Sequence, residues 1–298
     1  MKPYPEIKYQ IDLLTKSNHF SNGFLKFYEQ VLTAQQNFKE RINKSLVSIL
    51  ARTIDLEERL AYGRPLVDDT NFYVDLQAAK LLLNELFELL EQSQSSEQMD
   101  EIQKLKSAAK DQAFDLTTLL KNFIGEKKDY FTALAESIDV TLERLIFIAR
   151  TIDLPLLEVH RDILRPNSIA AVSDWLRPYC PTCGSVPAMG RLDKEVGQRF
   201  LWCAVCNSQW PFQRLQCPIC LNNDQTRLRY FFTDEASPYR VDVCDNCRHY
   251  LKAVDERKLE NERQAVMGVE DLLTLSLDEV AKKEGYQSAL WWMEIGRE

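Results

Sequence analysis

Apolar residues recur at helical spacing through the first 175 positions of the chain. The plainest run is Met99, Ile102, Leu105, Ala109, Leu116, Leu119, Leu120 and Phe123, which predicts a helix from Met99 to Phe123. Ser95 and Gln98 form a capping-box start for it, and Gly125 suits a left-handed closing residue. Ahead of it, Leu76, Ala79, Leu82, Leu83, Leu86, Phe87 and Leu90 make the stretch from Phe72 to Leu90 apolar around much of its circumference. A central helix is expected there, with Asp69 or Thr70 as its cap. A third stretch carries Phe131, Leu134, Ala135, Ile138, Leu142, Leu145, Ile146 and Ala149 and is expected to stop near Pro155. Phe24 to Leu46 supplies another helix, and a helix from Glu158 to Trp175, interrupted near Pro166, leads to the first cysteine.

At Cys180 the period changes. Short period-2 runs alternate with turn residues, and one order of parts occurs twice. Val186 to Leu192, a polar turn at Asp193 to Gly197, and Gln198 to Trp202 lie between the pairs Cys180/Cys183 and Cys203/Cys206. Leu228 to Phe232, a turn at Asp234 to Pro238, and Tyr239 to Val243 lie between Cys217/Cys220 and Cys244/Cys247. From Asp255 the chain reads as helical again, with Leu272, Leu273, Leu275, Leu277, Val280 and Ala281 as its apolar set. The fold class is therefore α+β and multidomain. An all-α bundle spans 1–175, two small rubredoxin-like or zinc-ribbon β units span 176–214 and 215–254, and a C-terminal helical tail spans 255–298.

All 8 cysteines of the 298-residue chain sit in these four C-x-x-C pairs. A tight C-x-x-C knuckle presents two thiolates on one side of a turn, so two knuckles can surround one metal ion tetrahedrally. The repeated hairpin favours one site from Cys180, Cys183, Cys203 and Cys206 and a second from Cys217, Cys220, Cys244 and Cys247; a cross-braced pairing stays open. Tetrahedral sulfur accepts zinc and iron alike. In the first knuckle, Cys180-Pro-Thr-Cys183-Gly184, a glycine relaxes the turn; the other three pairs are followed by Asn207, Leu221 and Arg248. A dithiol redox centre needs one such pair in a βαβ setting, not four pairs joined by hairpins. Folding staples are the plainest role for at least one site.

Composition narrows the remaining classes. With 45% apolar residues the chain can bury a core, and no stretch approaches a membrane span or a leader's apolar region. A cytoplasmic setting that keeps thiols reduced is expected. The net charge is -8. Leu176 to Val254 carries ten Arg and Lys against seven Asp and Glu, a small excess that two divalent ions on eight thiolates would reverse. A zinc-ribbon nucleic-acid binder is thereby disfavoured. Trp202, Trp210, Phe212, Tyr230, Phe231 and Phe232 are expected to fill hairpin cores rather than stack on bases. His19 and His160 lack ligand partners and are expected at the surface or satisfied within the structure, and His249 as a plain strand residue or a donor to a thiolate. No phosphate loop or nucleophile elbow occurs, so no enzymatic role is expected.

The chain resembles the formate dehydrogenase accessory protein FdhE family. The resemblance is carried by Trp175 with Cys180-Pro-Thr-Cys183-Gly-Ser-Val-Pro187 and the three further C-x-x-C pairs. It is supported by Phe27-Tyr28, Ala34-Gln35 and Gly63-Arg64-Pro65-Leu66. The tail adds Glu270-Asp271-Leu272-Leu273-Thr274-Leu275-Ser276-Leu277-Asp278 with Glu284-Gly285-Tyr286, and departs slightly from the family at Gly268-Val269. The resemblance implies two rubredoxin-like sites holding iron and a cytoplasmic maturation factor that binds the catalytic subunit of molybdenum-containing respiratory formate dehydrogenase. An electron-carrier role is the alternative in that setting.

Overall fold

A computed structural model describes residues 4–93, 96–165, 172, 174–232, 234–260 and 263–293. The chain forms two compact units, Met1–Ile54 with Val67–Ile163, and Asp55–Leu66 with Leu164–Glu298.

The first unit is helical: α1 (Pro5–Lys16), α2 (Asn22–Arg41), α3 (Lys44–Thr53), α5 (Leu76–Ser93), α6 (Ser96–Lys110), α7 (Leu116–Ile124), α8 (Lys128–Ile138) and α9 (Leu142–Leu164), with α4 (Leu56–Ala61) in the second unit. The central helix α5 buries Ala79, Leu82, Leu83, Leu86, Phe87 and Leu90. Its cap is Asp75, whose Oδ1 accepts the Ala78 N–H at 3.1 Å, in place of Asp69 or Thr70; Thr70 is instead held in a turn by Asp68.

Two long amphipathic runs are each broken into two helices. Gln112 takes a left-handed φ of 55° after α6, and Asp115 then caps α7 by accepting the Thr118 N–H at 2.7 Å. Asp139, at φ 54°, separates α8 from α9. Apolar spacing conceals both breaks, because Ala109 to Leu116 is seven residues and Ile138 to Leu142 four, each a step that keeps the same helical face. The proposed Ser95/Gln98 cap and the interruption at Pro166 lie outside the described residues. Gly125 does end α7, but with φ -74°; the left-handed residue is Glu126, at φ 53°.

The third stretch does not stop at Pro155, which lies inside α9. Proline has no N–H to give the carbonyl four residues back, that of Thr151. Gln35 of α2 supplies the missing donor, its Nε2 reaching the Thr151 oxygen at 2.8 Å in a buried setting. One turn further on, His160 is held neutral. Its Nδ1 pairs with the Leu156 carbonyl at 2.8 Å, and its Nε2 accepts the Tyr73 N–H at 3.3 Å. With the ring 1% exposed, burial lowers its pKa from 6.5 to about 4.

The second unit is built on one six-stranded sheet in the order β3-β2-β1-β6-β5-β4. The strands are β1 (Met189–Leu192), β2 (Arg199–Trp202), β3 (Gln209–Pro211), β4 (Leu228–Phe231), β5 (Tyr239–Cys244) and β6 (Tyr250–Asp255). Each cysteine segment contributes an antiparallel three-stranded meander, and the two meanders join where β1 runs parallel to β6. Helices α10 (Met267–Leu273) and α11 (Leu275–Lys283) cover one face, where Val241, Val243 and Tyr250 meet Leu277, Ala281 and Tyr286. Buried carboxylates fix this packing. Asp278 accepts from Lys252 at 2.7 Å and from the Tyr250 hydroxyl at 2.9 Å, while Glu270 takes the Tyr239 hydroxyl at 2.6 Å and both Arg263 nitrogens.

Two outcomes are expected for the helical unit. Gln35→Leu should cost about 2 kcal/mol, the penalty of an orphaned buried carbonyl. In a Pro155→Ala background the restored N–H should remove most of that cost, and urea unfolding of the four proteins of this cycle checks it. His160 has a depressed folded pKa, so its contribution is fully present above pH 6.5 and is lost as pH falls toward about 4. Between pH 7 and pH 5 this should remove about 2 kcal/mol, and a His160→Gln variant should show a flatter dependence when unfolding midpoints are compared across that range.

Candidate metal centres

Four knuckles of one design carry the cysteines. In each, the N–H of the residue after the second cysteine donates to the carbonyl of the first: Gly184 to Cys180 at 2.9 Å, Asn207 to Cys203 at 2.9 Å, Leu221 to Cys217 at 3.1 Å and Arg248 to Cys244 at 2.8 Å. The first cysteine's own N–H donates forward to Ser185, Ser208, Asn222 or His249 at 2.8 to 3.0 Å. Closing this loop requires a left-handed residue, and the four occupants have φ of 81°, 55°, 61° and 60°. Only the first is glycine. Leu221 is the costliest, since a side chain in this region meets the neighbouring carbonyl.

The knuckles converge in pairs. The sulfurs of Cys180, Cys183, Cys203 and Cys206 lie within 4.8 Å of one another, as do those of Cys217, Cys220, Cys244 and Cys247. The closest approaches between knuckles are 3.4 and 3.5 Å in the first cluster and 3.7 and 3.8 Å in the second. A tetrahedron with metal–sulfur bonds of about 2.3 Å has edges of about 3.8 Å, so both donor sets fit a tetrahedral thiophilic ion. All eight thiols are free. Backbone N–H groups of Thr182 and Ile219 point at the Cys180 and Cys217 sulfurs at 3.4 Å, a polarity suited to thiolates.

Electrostatics favour a cation in each cluster. Burial opposes ionisation of Cys180, but donation from the Cys183, Cys203 and Cys206 thiols outweighs it and brings its pKa well below the ordinary thiol range. Cys183 is pushed well up by sharing its proton with these neighbours, and Cys203 by burial. In the second cluster burial raises Cys217 to about 11. It also opposes ionisation of Cys220, yet the Asn246 amide and the Asn222 N–H bring that thiol down to about 7. Without a cation such clusters hold their thiols in unequal states; a metal ion lets all four ionise.

The surroundings differ. All four sulfurs of the first cluster belong to buried residues, whereas Cys220 and Cys247 of the second are partly exposed. The first is backed by a hydroxyl pair, Thr182 with Ser208 at 2.7 Å, and Ser208 also reaches Cys206 at 3.2 Å. The Gly63-to-Leu66 segment lies against its first knuckle: the Leu66 N–H donates to Pro181 O at 2.8 Å, and the Tyr179 hydroxyl to Gly63 O at 2.9 Å. The second cluster's last knuckle is gripped by the tail. Tyr286 donates to Asp245 at 2.6 Å, the Gln287 N–H to Arg248 O at 2.9 Å, and Arg248 lies over the Tyr286 ring.

His249 pairs through Nδ1 with the Cys247 carbonyl at 2.8 Å rather than with a thiolate. Trp202, Trp210 and Phe212 are buried, and Phe231 packs on the sheet core. Tyr230 and Phe232 do not fill a core: they are 60% and 37% exposed, on the outer strand β4 and just beyond its end. The arginines around the second cluster carry no motif, and only the fold brings Arg199 of β2 to Gln216, whose carbonyl its Nη1 reaches at 3.1 Å.

Leu221→Gly should raise stability by about 1 kcal/mol, the relief of a left-handed side chain, with metal content unchanged. Arg248→Gly should not, because it also gives up the bonds of Arg248 to the Glu284 and Gly285 carbonyls. Thermal unfolding of both variants separates the two outcomes.

Residues 179–214 match the family model for the FdhE central domain. A protein FdhE homolog of Aquifex aeolicus (strain VF5) is 28% identical over 284 residues, 93% of this chain and 90% of that protein. Protein FdhE of Escherichia coli O1:K1 / APEC is 27% identical over 237 residues, covering 78% and 70% of the two chains. The fold is similar to the crystal structure of the FdhE protein from Pseudomonas aeruginosa, with a TM-score of 0.65, 18% identity, and coverage of 97% and 95%. The first cysteine segment matches the FdhE central domain and the relatives align over most of the chain, so the chain is similar to FdhE proteins along most of its length.

Proposed function

We propose that this chain is an accessory factor in the maturation of molybdenum-containing formate dehydrogenase. It acts in the cytoplasm, engages the catalytic subunit of that enzyme and performs no catalysis of its own. Cys180, Cys183, Cys203 and Cys206 bind one metal ion, and Cys217, Cys220, Cys244 and Cys247 a second. Iron is favoured by the likeness to FdhE, with zinc as the alternative ion. The observation that supports this reading best is the pairing of two free-thiol tetrads on one sheet with an alignment to FdhE relatives over 93% of the chain. Among the described residues no helix is long and apolar enough to cross a membrane.

Partial exposure of Cys220 and Cys247 favours a second reading, in which the second site passes electrons. A metal whose sulfurs reach solvent can exchange electrons with a partner, whereas the buried first site serves the fold.

Protein purified anaerobically from its own host should carry two metal ions. Cys217→Ser should lose about one of them and leave the first site loaded. An affinity-tagged chain should retain the immature formate dehydrogenase catalytic subunit, and cells lacking the factor should lose formate oxidation. Retention of other proteins without that subunit would sink the maturation reading. Colourless protein with two tightly held zinc ions would sink the electron-transfer reading alone.

A further inference from the structure

On the sheet face opposite α11, a half-open cavity of about 330 Å³ lies beside the second cluster. Its position follows from strand parity. Val241 and Val243 of β5 turn to the helices, so Arg240 and Asp242 between them turn to the cavity, with Tyr230 of β4 and Leu251 of β6 as their cross-strand neighbours. Arg199 reaches the same space from β2, passing over Gly190, where no side chain intervenes. Leu228, Ile219 and Leu251 supply apolar wall.

The charge of this lining is one-sided. Arg199, Arg214 and Arg240 line it, and Asp242 is its single carboxylate among the described residues; Arg229, opposite Val243, is spent on Asp245 and Tyr286. Asp242 serves two guanidiniums at once, Arg199 Nη2 at 3.2 Å and Arg240 Nε at 2.8 Å. Both contacts are ion pairs off the hydrogen-bonding direction, so Arg199 Nη2 and Arg240 Nε remain buried N–H donors without a hydrogen bond. Arg199 has a side chain only 4% exposed. Asp242 offsets the burial of both guanidiniums, and the N–H directions it leaves unbonded suit a second acceptor.

We propose that the cavity is a binding site for a small oxyanion, a phosphate or carboxylate group carried on an apolar or aromatic body. Guanidinium forks from β2 and β5 match two oxygens of one anionic head. Tyr230, over which Arg240 lies at 5.1 Å, and the Leu and Ile walls receive the apolar part. The volume falls at the lower end of the range for small-molecule sites, about 300–1,000 Å³.

Calorimetric titration of the full, metal-loaded chain with phenyl phosphate, benzoate and inorganic phosphate, at constant ionic strength in chloride, tests this. Saturable binding of phenyl phosphate or benzoate is expected, and the stronger of the two identifies the head group. Binding should weaken at least ten-fold in Arg240→Gln. It should be unchanged in Arg227→Gln, whose exposed side chain pairs with Asp224. Should Arg240→Gln lose metal or fold, Arg214→Gln, an exposed lining residue, replaces it and is expected to weaken binding as well. Absence of saturable binding by the parent protein overturns the proposal. So does equal binding by the folded arginine variants, and in either case these arginines only neutralise the thiolates.

Discussion

Everything in the second unit depends on turning the chain tightly enough to bring two sulfurs to one side, four times. The left-handed residue after each second cysteine does this by letting its N–H return to the first cysteine's carbonyl. Leu221 and Arg248 carry side chains that resist that conformation at about 1–2 kcal/mol each, whereas Asn207 tolerates it more readily. Such cost persists only where surrounding bonds over-determine it. At Arg248 the side chain itself contributes, bonding the Glu284 and Gly285 carbonyls. Strand pairing supplies more: the knuckles are continuous with β2, β5 and the strands that follow, so a relaxed turn would shift a register in the shared sheet.

The two meanders do not stand alone. A three-stranded meander has little interior, and metal ligation is one remedy for a small core. The other is visible where β1 pairs with β6 and where α10 and α11 close the sheet. Those helices are held by charged residues in the interior, Lys252 at 2% exposure with Asp271 and Asp278, and Glu270 at 0% with Arg263 and Tyr239. Full satisfaction makes such a network tolerable, and it fixes the helices in one position.

Much of this was legible in the chain. Period-2 runs bounded by turns located both hairpins, and the spacing of the cysteine pairs favoured the grouping the structure brings together. Strand β6 is not evident in the sequence because Lys252 interrupts the apolar run of Tyr250–Asp255; that lysine is buried because Asp278, 26 residues later, meets it. Pro155 misled for a similar reason, since the donor that rescues its helix comes from Gln35, 116 residues away from Thr151. The breaks at Gln112 and Asp139 were hidden by spacings that preserve the apolar face. In each case the deciding contact is remote in sequence or lies in a backbone angle that periodicity does not report.

The tail and the Gly63-to-Leu66 segment acquire a physical role through the clusters. Leu66 and Gly63 bond the chain around the first knuckle, while Tyr286, Gln287 and Glu284 bond the last. The supports are not equivalent. The first cluster is enclosed and backed by hydroxyls, so a bound ion there is shielded from exchange. The second has two accessible sulfurs, amide donors from Asn222 and Asn246, and a basic cavity at its side. A site whose only task was to staple the sheet would gain nothing from that exposure. The exposed sulfurs, the amide donors and the arginine-lined cavity therefore lie together at the second cluster, where the first cluster has only enclosure.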